Sequence, residues 1–178
     1  AMAGWVRDFD PTRPIQYEGG GSRTSSTDII CPMYARVHQI LRVVTKGDED
    51  RPVVLCEYAH SMGNSTGNLH KYWRAFLENE GLQGGFIWDW VDQGIEGPEG
   101  GYLYGGDFGD DPNDAQFCLN GLVSPDRVPH PAVAECKHLQ APASFSLEEE
   151  PWGTVIVIRN LDYFTRLDNL RLKWQVFE

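Results

Sequence analysis

One stretch constrains the fold of this chain more than any other: Val53 to Trp90 reads as strand, helix, strand. The run PVVLCEY is almost continuously apolar until it reaches Glu57, as expected of a parallel strand buried on both faces whose C-terminal end emerges at a site. From Asn64 to Glu80, the residues Leu69, Trp73, Phe76 and Leu77 recur at helical spacing, and Gly81 is a stop signal. GGFIWDW then supplies a second strand of the buried type. Parallel neighbours need a crossover connection, so this βαβ unit points to a parallel α/β barrel or open sheet.

Other strand-like runs flank the unit. PIQYE and DIICPMY precede it, and TVIVIRN and LRLKWQVF follow, most of them bounded by Gly, Pro or Asp/Asn turn signals. Residues 91 to 117 are rich in Gly, Asp and Pro and read as a long loop, a kind of segment that tends to carry function. From about Ala143 the text alternates apolar and polar, which predicts the start of an antiparallel β-sandwich. The expected boundary lies at Ala141 to Pro142, dividing the chain into residues 1–141 and 142–178.

The chain has 178 residues, enough for one domain with a core or for part of a larger one plus the start of the next. Its net charge of −11 comes from Asp and Glu spread along the sequence, which argues against nucleic acid or an anionic membrane as partner and favours a neutral substrate. No run of about 18 apolar residues could span a membrane. Cys31, Cys56, Cys118 and Cys136 are widely spaced without a CxxC pair, so they are expected to be reduced and mostly buried. AMAGWVRDFD lacks the charged and apolar regions of a signal peptide, and the expected location is the cytoplasm. Both ends read as cut from a longer protein.

The chemistry concentrates at Glu57. Tyr58, Ala59 and His60 follow it, so a carboxylate and an imidazole would emerge together at the C-terminal edge of a strand, the active face of an α/β barrel. An ionised, partly desolvated Glu there can attack an oxocarbenium-like anomeric carbon and later leave as a carboxylate. Taken alone, Glu57 is more simply a cap or salt-bridge partner, and His60 a satisfied core histidine.

Four segments change that balance. RPVVLCEYAHSMGNSTGNLHKYW, GGFIWDWVDQG, YGGDFGDDPNDAQFCLNGLV and DRVPHPAVAECKH together resemble the long β-galactosidases of glycoside hydrolase family two, in order and with nearly the family's spacing, over roughly residues 13 to 140. The resemblance implies the C-terminal half of a TIM (β/α)₈ barrel, about strands five to eight, followed by the start of a β-sandwich. It implies a retaining mechanism with Glu57 as nucleophile, and Tyr34, in ICPMYARV, as the tyrosine bonded to it. Glu57, Tyr58, Ala59, His60, Trp88 and Asn120 would face the substrate, with Trp88 as the floor of the galactose subsite.

The same resemblance implies two cations. Phe117 and Asn120 would contribute a carbonyl and an amide oxygen to a Na⁺ site, and Asn113 a secondary contact to Mg²⁺, whose main ligands lie upstream of residue 1. The family's general acid/base also lies upstream, so the fragment is expected to be inactive alone and its parent homo-oligomeric. The expected partner is a β-galactoside, with no nucleic acid and no membrane. A β-glucuronidase-like enzyme and a non-catalytic carbohydrate-binding module are the rival readings.

Overall fold

The computed structural model describes residues 2–19 and 24–177. The chain divides into two compact units, Ala1–Cys136 and Lys137–Glu178.

The first unit opens with helix α1 (Met2–Phe9). The bidentate ion pair of Arg7 with Asp28, at 2.9 and 2.6 Å, ties this helix to the segment that follows. PIQYE, expected as a strand, is not one. The N–H of Ile15 donates to the Asp28 carboxylate and that of Tyr17 to the Thr27 hydroxyl, so side chains take the place of a ladder. Residues 30–33 run parallel to the next strand through bridges from Ile30 to Val53 and from Met33 to Glu57. They never pair continuously enough to form a strand of their own.

Helix α2 (Val37–Thr45) begins where the Gln39 side chain reaches back to accept the Arg36 N–H at 2.7 Å, half of a capping box. It buries Ile40. Strand β1 (Val53–Tyr58) follows, then α3 (Leu69–Glu78) and β2 (Leu82–Ile87), and β1 pairs parallel with β2. The strand–helix–strand unit read from the sequence is therefore present, with a shorter helix. Leu69 and Ala75 are buried and Tyr72, Trp73 and Phe76 half-buried, whereas Leu77 points to solvent.

The two strands lie close because Gly85 opposes Leu55, where an added Cβ would sit 2.7 Å from the Leu55 Cβ. The core on this sheet comprises Ile30, Cys31, Ile40, Val53, Leu55, Tyr58, Leu69 and Leu82, each no more than 2% exposed. Burying side chains of this size stabilises the unit by roughly 1.5–3 kcal/mol apiece. The four cysteines are free.

Residues 91–117 are not wholly irregular. They contain a short hairpin of β3 (Ile95–Glu96) and β4 (Tyr102–Leu103) and lead into a 3₁₀ turn at Ala115–Cys118. Helix α4 (Ala132–Leu139) spans the end of this unit and buries Cys136.

The second unit contains β5 (Ala143–Glu150) and β6 (Gly153–Asn160), paired antiparallel in unbroken register from Ala143 opposite Asn160 to Glu150 opposite Gly153. LRLKWQVF, expected as a further strand, has no strand structure. Its alternation finds no ladder partner among the described residues, and an isolated edge gives a strand nothing to pair with. The sheet of this unit among the described residues is a single antiparallel hairpin. No helix among the described residues is long and apolar enough to cross a membrane.

Candidate active site

The site is built at the C-terminal end of β1. Glu57 is half-buried there, and its carbonyl accepts the Tyr34 N–H at 2.8 Å, which brings residues 30–34 alongside the strand end. Tyr34 has φ of 52° and Ala59 has φ of 51°, both in the left-handed region. Such a backbone costs a bulky residue of order 1–3 kcal/mol and persists where the surroundings over-determine it, as they do at working sites.

The Tyr34 phenol lies by Glu57. Burial first, then side-chain hydrogen bonding to the Glu57 carboxylate and the negative charge of that group, raise the phenol well above its ordinary value. It therefore stays protonated as a donor toward the carboxylate. None of the ion pairs among the described residues involves Glu57. No cation in this set neutralises it.

His60 continues the arrangement. Its ring meets Tyr34 edge-on at 5.9 Å and stacks on Phe117 at 5.3 Å with 28° between planes, while its buried Nε2 has no hydrogen-bond partner. An unpaired buried nitrogen costs free energy unless a ligand completes it.

Trp88 follows β2. Its N–H donates to the Tyr58 carbonyl at 3.1 Å and its carbonyl accepts the Ser61 N–H at 2.8 Å, so Trp88 is held directly beside the Glu57–Ser61 turn. Its side chain is 36% exposed, and an aromatic face of this kind suits the C–H face of a sugar. Tyr58 is placed differently. It is 1% exposed and packs on Tyr72 and Phe76 at 5.1 and 6.0 Å, and burial pushes its phenol up to about 12. Its ring belongs to the core, and only its carbonyl serves the site. Ala59 contributes its backbone bend.

Asn120 is 3% exposed, with its Nδ2 donating to the Phe117 carbonyl at 3.1 Å and its Oδ1 buried without a partner. An orphaned amide oxygen next to a backbone carbonyl is a pair of hard donors, and these two residues fit a sodium ion. Asn113 is tied into its own loop. Its Oδ1 accepts the Ala115 N–H at 3.0 Å and its Nδ2 donates to the Asp110 carbonyl at 2.8 Å, so both ends of the amide serve the loop. No group of three or more His, Cys, Asp or Glu side chains among the described residues could hold a metal ion.

Residues 89–92 and 120–123 run parallel beside this site, with a bridge between Val91 and Val123. Gly121 makes the approach possible, since an added Cβ would lie 2.1 Å from the Asp92 nitrogen. A cleft of about 520 Å³ opens nearby, lined by Ser61, Asn64, Asp92, Gln116 and His130 among others. Asp92, Gly121 and His130 were not singled out from the sequence. All three lie inside the motif segments quoted above, and two prolines enclose His130 and restrict its backbone.

The pattern of the family described as glycosyl hydrolases family 2, TIM barrel domain, matches residues 1–145. The chain belongs to glycosyl hydrolase family 2. Within that family, it is 50% identical over 193 residues to a β-galactosidase of Alteromonas mediterranea, covering all of this chain and 18% of the relative. It is 51% identical over 193 residues to a β-galactosidase of Aeromonas hydrophila, covering all of this chain and 19% of the relative. A β-galactosidase of Klebsiella pneumoniae is 50% identical over 192 residues, covering 99% of this chain and 18% of the relative. The chain thus spans about a fifth of the length of the curated relatives it matches. The family 2 match extends over β1, β2 and every site residue discussed above.

Proposed function

We propose that this chain carries the nucleophile half of a retaining β-galactosidase, with Glu57 as the nucleophile. The observation that carries the reading is the seating of Tyr34 against Glu57, a half-buried carboxylate at the end of a parallel strand whose own carbonyl accepts the Tyr34 N–H at 2.8 Å. The identity to proteins named β-galactosidase supports the choice of sugar. An acidic chain of net charge −11 also favours a neutral galactoside over a glucuronide.

In the first half-reaction, the Glu57 carboxylate attacks the anomeric carbon as the bond to the leaving oxygen breaks, forming a galactosyl ester. A second carboxyl group about 5–5.5 Å away protonates the leaving group and later deprotonates water. We assign that group to a part of the protein outside residues 1–178, so the chain alone should not turn over. Tyr34 donates to Glu57, holding the carboxylate in its attacking orientation and stabilising it as it leaves the sugar in the second half-reaction. The unpaired His60 Nε2 accepts or donates to a sugar hydroxyl, and Trp88 supports the apolar sugar face.

Sodium, when bound, supplies a fixed positive charge at the Asn120 Oδ1 and Phe117 carbonyl. Magnesium, if held by ligands outside residues 1–178, would gain a secondary contact from the second lone pair of the Asn113 Oδ1. The division of the chain, with residues 1–141 as part of a (β/α)₈ barrel and 142–178 as the start of a β-sandwich domain, belongs to the same proposal. The parent is proposed to be a homo-oligomer.

Glu57→Gln in the full-length protein tests the assignment. An amide of the same shape cannot form the ester, so turnover of a chromogenic galactoside should vanish while binding of a thiogalactoside persists. Substantial residual turnover would remove Glu57 from the role.

A further inference from the structure

The three residues after Asn120 are gripped one by one from two side-chain-bearing positions. The Asp92 Oδ1 accepts the Gly121 N–H at 2.7 Å, the His130 N–H donates to the Leu122 carbonyl at 3.0 Å, and the Asp92 N–H donates to the Val123 carbonyl at 2.9 Å. Asp92 and His130 are in turn joined through Oδ2 and Nε2 at 2.8 Å. Both carboxylate oxygens of Asp92 are therefore committed, and its side chain is only 11% exposed. Before the turn, the Asn120 carbonyl accepts the Asp89 N–H at 2.7 Å.

We propose that Asp92 and His130 are a positioning pair that fixes the Asn120 turn, and through it the affinity of the sugar site. This rests on the proposed function of the site. Among the described residues, none of the side-chain hydrogen bonds or ion pairs of Asp92 and His130 reaches Glu57, Tyr34 or His60. The pair acts through Asn120, whose Nδ2 is held by the Phe117 carbonyl at 3.1 Å and whose amide oxygen has no partner, so the placing of its backbone sets where that oxygen lies. The backbone there has little freedom of its own to compensate, because Gly121 is pressed against Asp92 and Val91. A purely structural pair would only brace the loop. A positioning pair makes ligand affinity depend on the one side-chain bond between residues 38 apart in sequence.

The test is made in the full-length protein. His130→Ala should weaken thiogalactoside binding, measured calorimetrically in a Glu57→Gln background, by roughly tenfold or more, as removal of such supporting partners commonly does. In the otherwise native enzyme it should raise KM in step and leave kcat largely unchanged. His130→Gln should recover most of the affinity, since its amide can still reach the Asp92 carboxylate. If His130→Ala fails to fold, His130→Leu keeps the volume and carries the same expectation. Native affinity in the Ala or Leu variant would overturn the proposal, as would equal loss in the Gln variant. Turnover by Glu57→Gln alone would instead overturn the nucleophile assignment, so the two failures are separable.

Discussion

Gly121→Ala should damage this site out of proportion to the single methyl group it adds. The new Cβ would lie 2.1 Å from the Asp92 nitrogen, 2.3 Å from the Val91 carbonyl carbon and 2.7 Å from the Val123 oxygen. All three atoms are backbone, so no side-chain rotation relieves the contact. Comfortable separation is about 3.5 Å, and residues 120–123 must therefore retreat from 89–92 by about 1 Å or more. The Asp92 to Val123 bond, 2.9 Å long, cannot survive that movement. Overpacking costs about 1–3 kcal/mol and the lost ladder bond about 0.5–1.5, so the expected destabilisation is about 1.5–4.5 kcal/mol. Thermal melting of the full-length protein, with thiogalactoside affinity measured beside it, reads both consequences. Gly4→Ala is the control. Nothing lies within 4 Å of its added Cβ, and the change in α1 should be neutral or stabilising by up to about 1 kcal/mol. A Gly121→Ala protein that melts and binds like the native one would refute the close packing of these two segments.

Two other predictions concern the site and its frame. Tyr34→Phe removes only the hydroxyl directed at Glu57 and should slow hydrolysis of the galactosyl ester about 10- to 150-fold, the rate equivalent of losing a hydrogen bond to a charged group. Burst kinetics would read it, and a native rate for that step would place the phenol outside the reaction. The raised phenol also stays protonated past its ordinary range near pH 10, so any alkaline loss of activity at lower pH has another source. Asp28 is held below the usual carboxylate range by its bonds to Arg7 and the Ile15 N–H. A depressed carboxylate contributes stability above its unfolded value and loses it as pH falls through the folded one, so Asp28→Asn should flatten the acid limb below about pH 4. Tryptophan fluorescence during acid titration measures that limb, and an unchanged curve would contradict the pairing.

What could be read from the sequence was what burial imposes locally. Val53–Tyr58 was legible because a strand covered on both faces must be apolar until its end, and Glu57 stood out by breaking that run. The helix after it was legible from the spacing of Leu69, Trp73 and Phe76. Helix α2 was not, since Val37, Ile40, Val43, Val44 and Thr45 are β-branched and disfavour a helix until tertiary packing overrides them. PIQYE misled in the opposite sense, because Asp28 and Thr27 side chains took the backbone bonds a strand would have used. LRLKWQVF has the alternation of a strand but pairs with no neighbour among the described residues. The site residues Glu57, Tyr34, His60 and Trp88 were reached through motif resemblance, which carries three-dimensional information that periodicity lacks. Asp92 and His130 meet only in the folded chain.

The central claim is that Glu57 forms the bond to the sugar, and covalent trapping tests it most directly. A 2-deoxy-2-fluorogalactoside with a good leaving group forms the ester but hydrolyses slowly, because the fluorine destabilises the oxocarbenium-like transition state of the second step. Proteolysis and mass spectrometry of the trapped full-length enzyme should find one sugar on the peptide that contains VVLCEYAH, with fragmentation placing it on Glu57. A label on another carboxylate, such as Glu18, Asp89 or Asp107, would contradict the account.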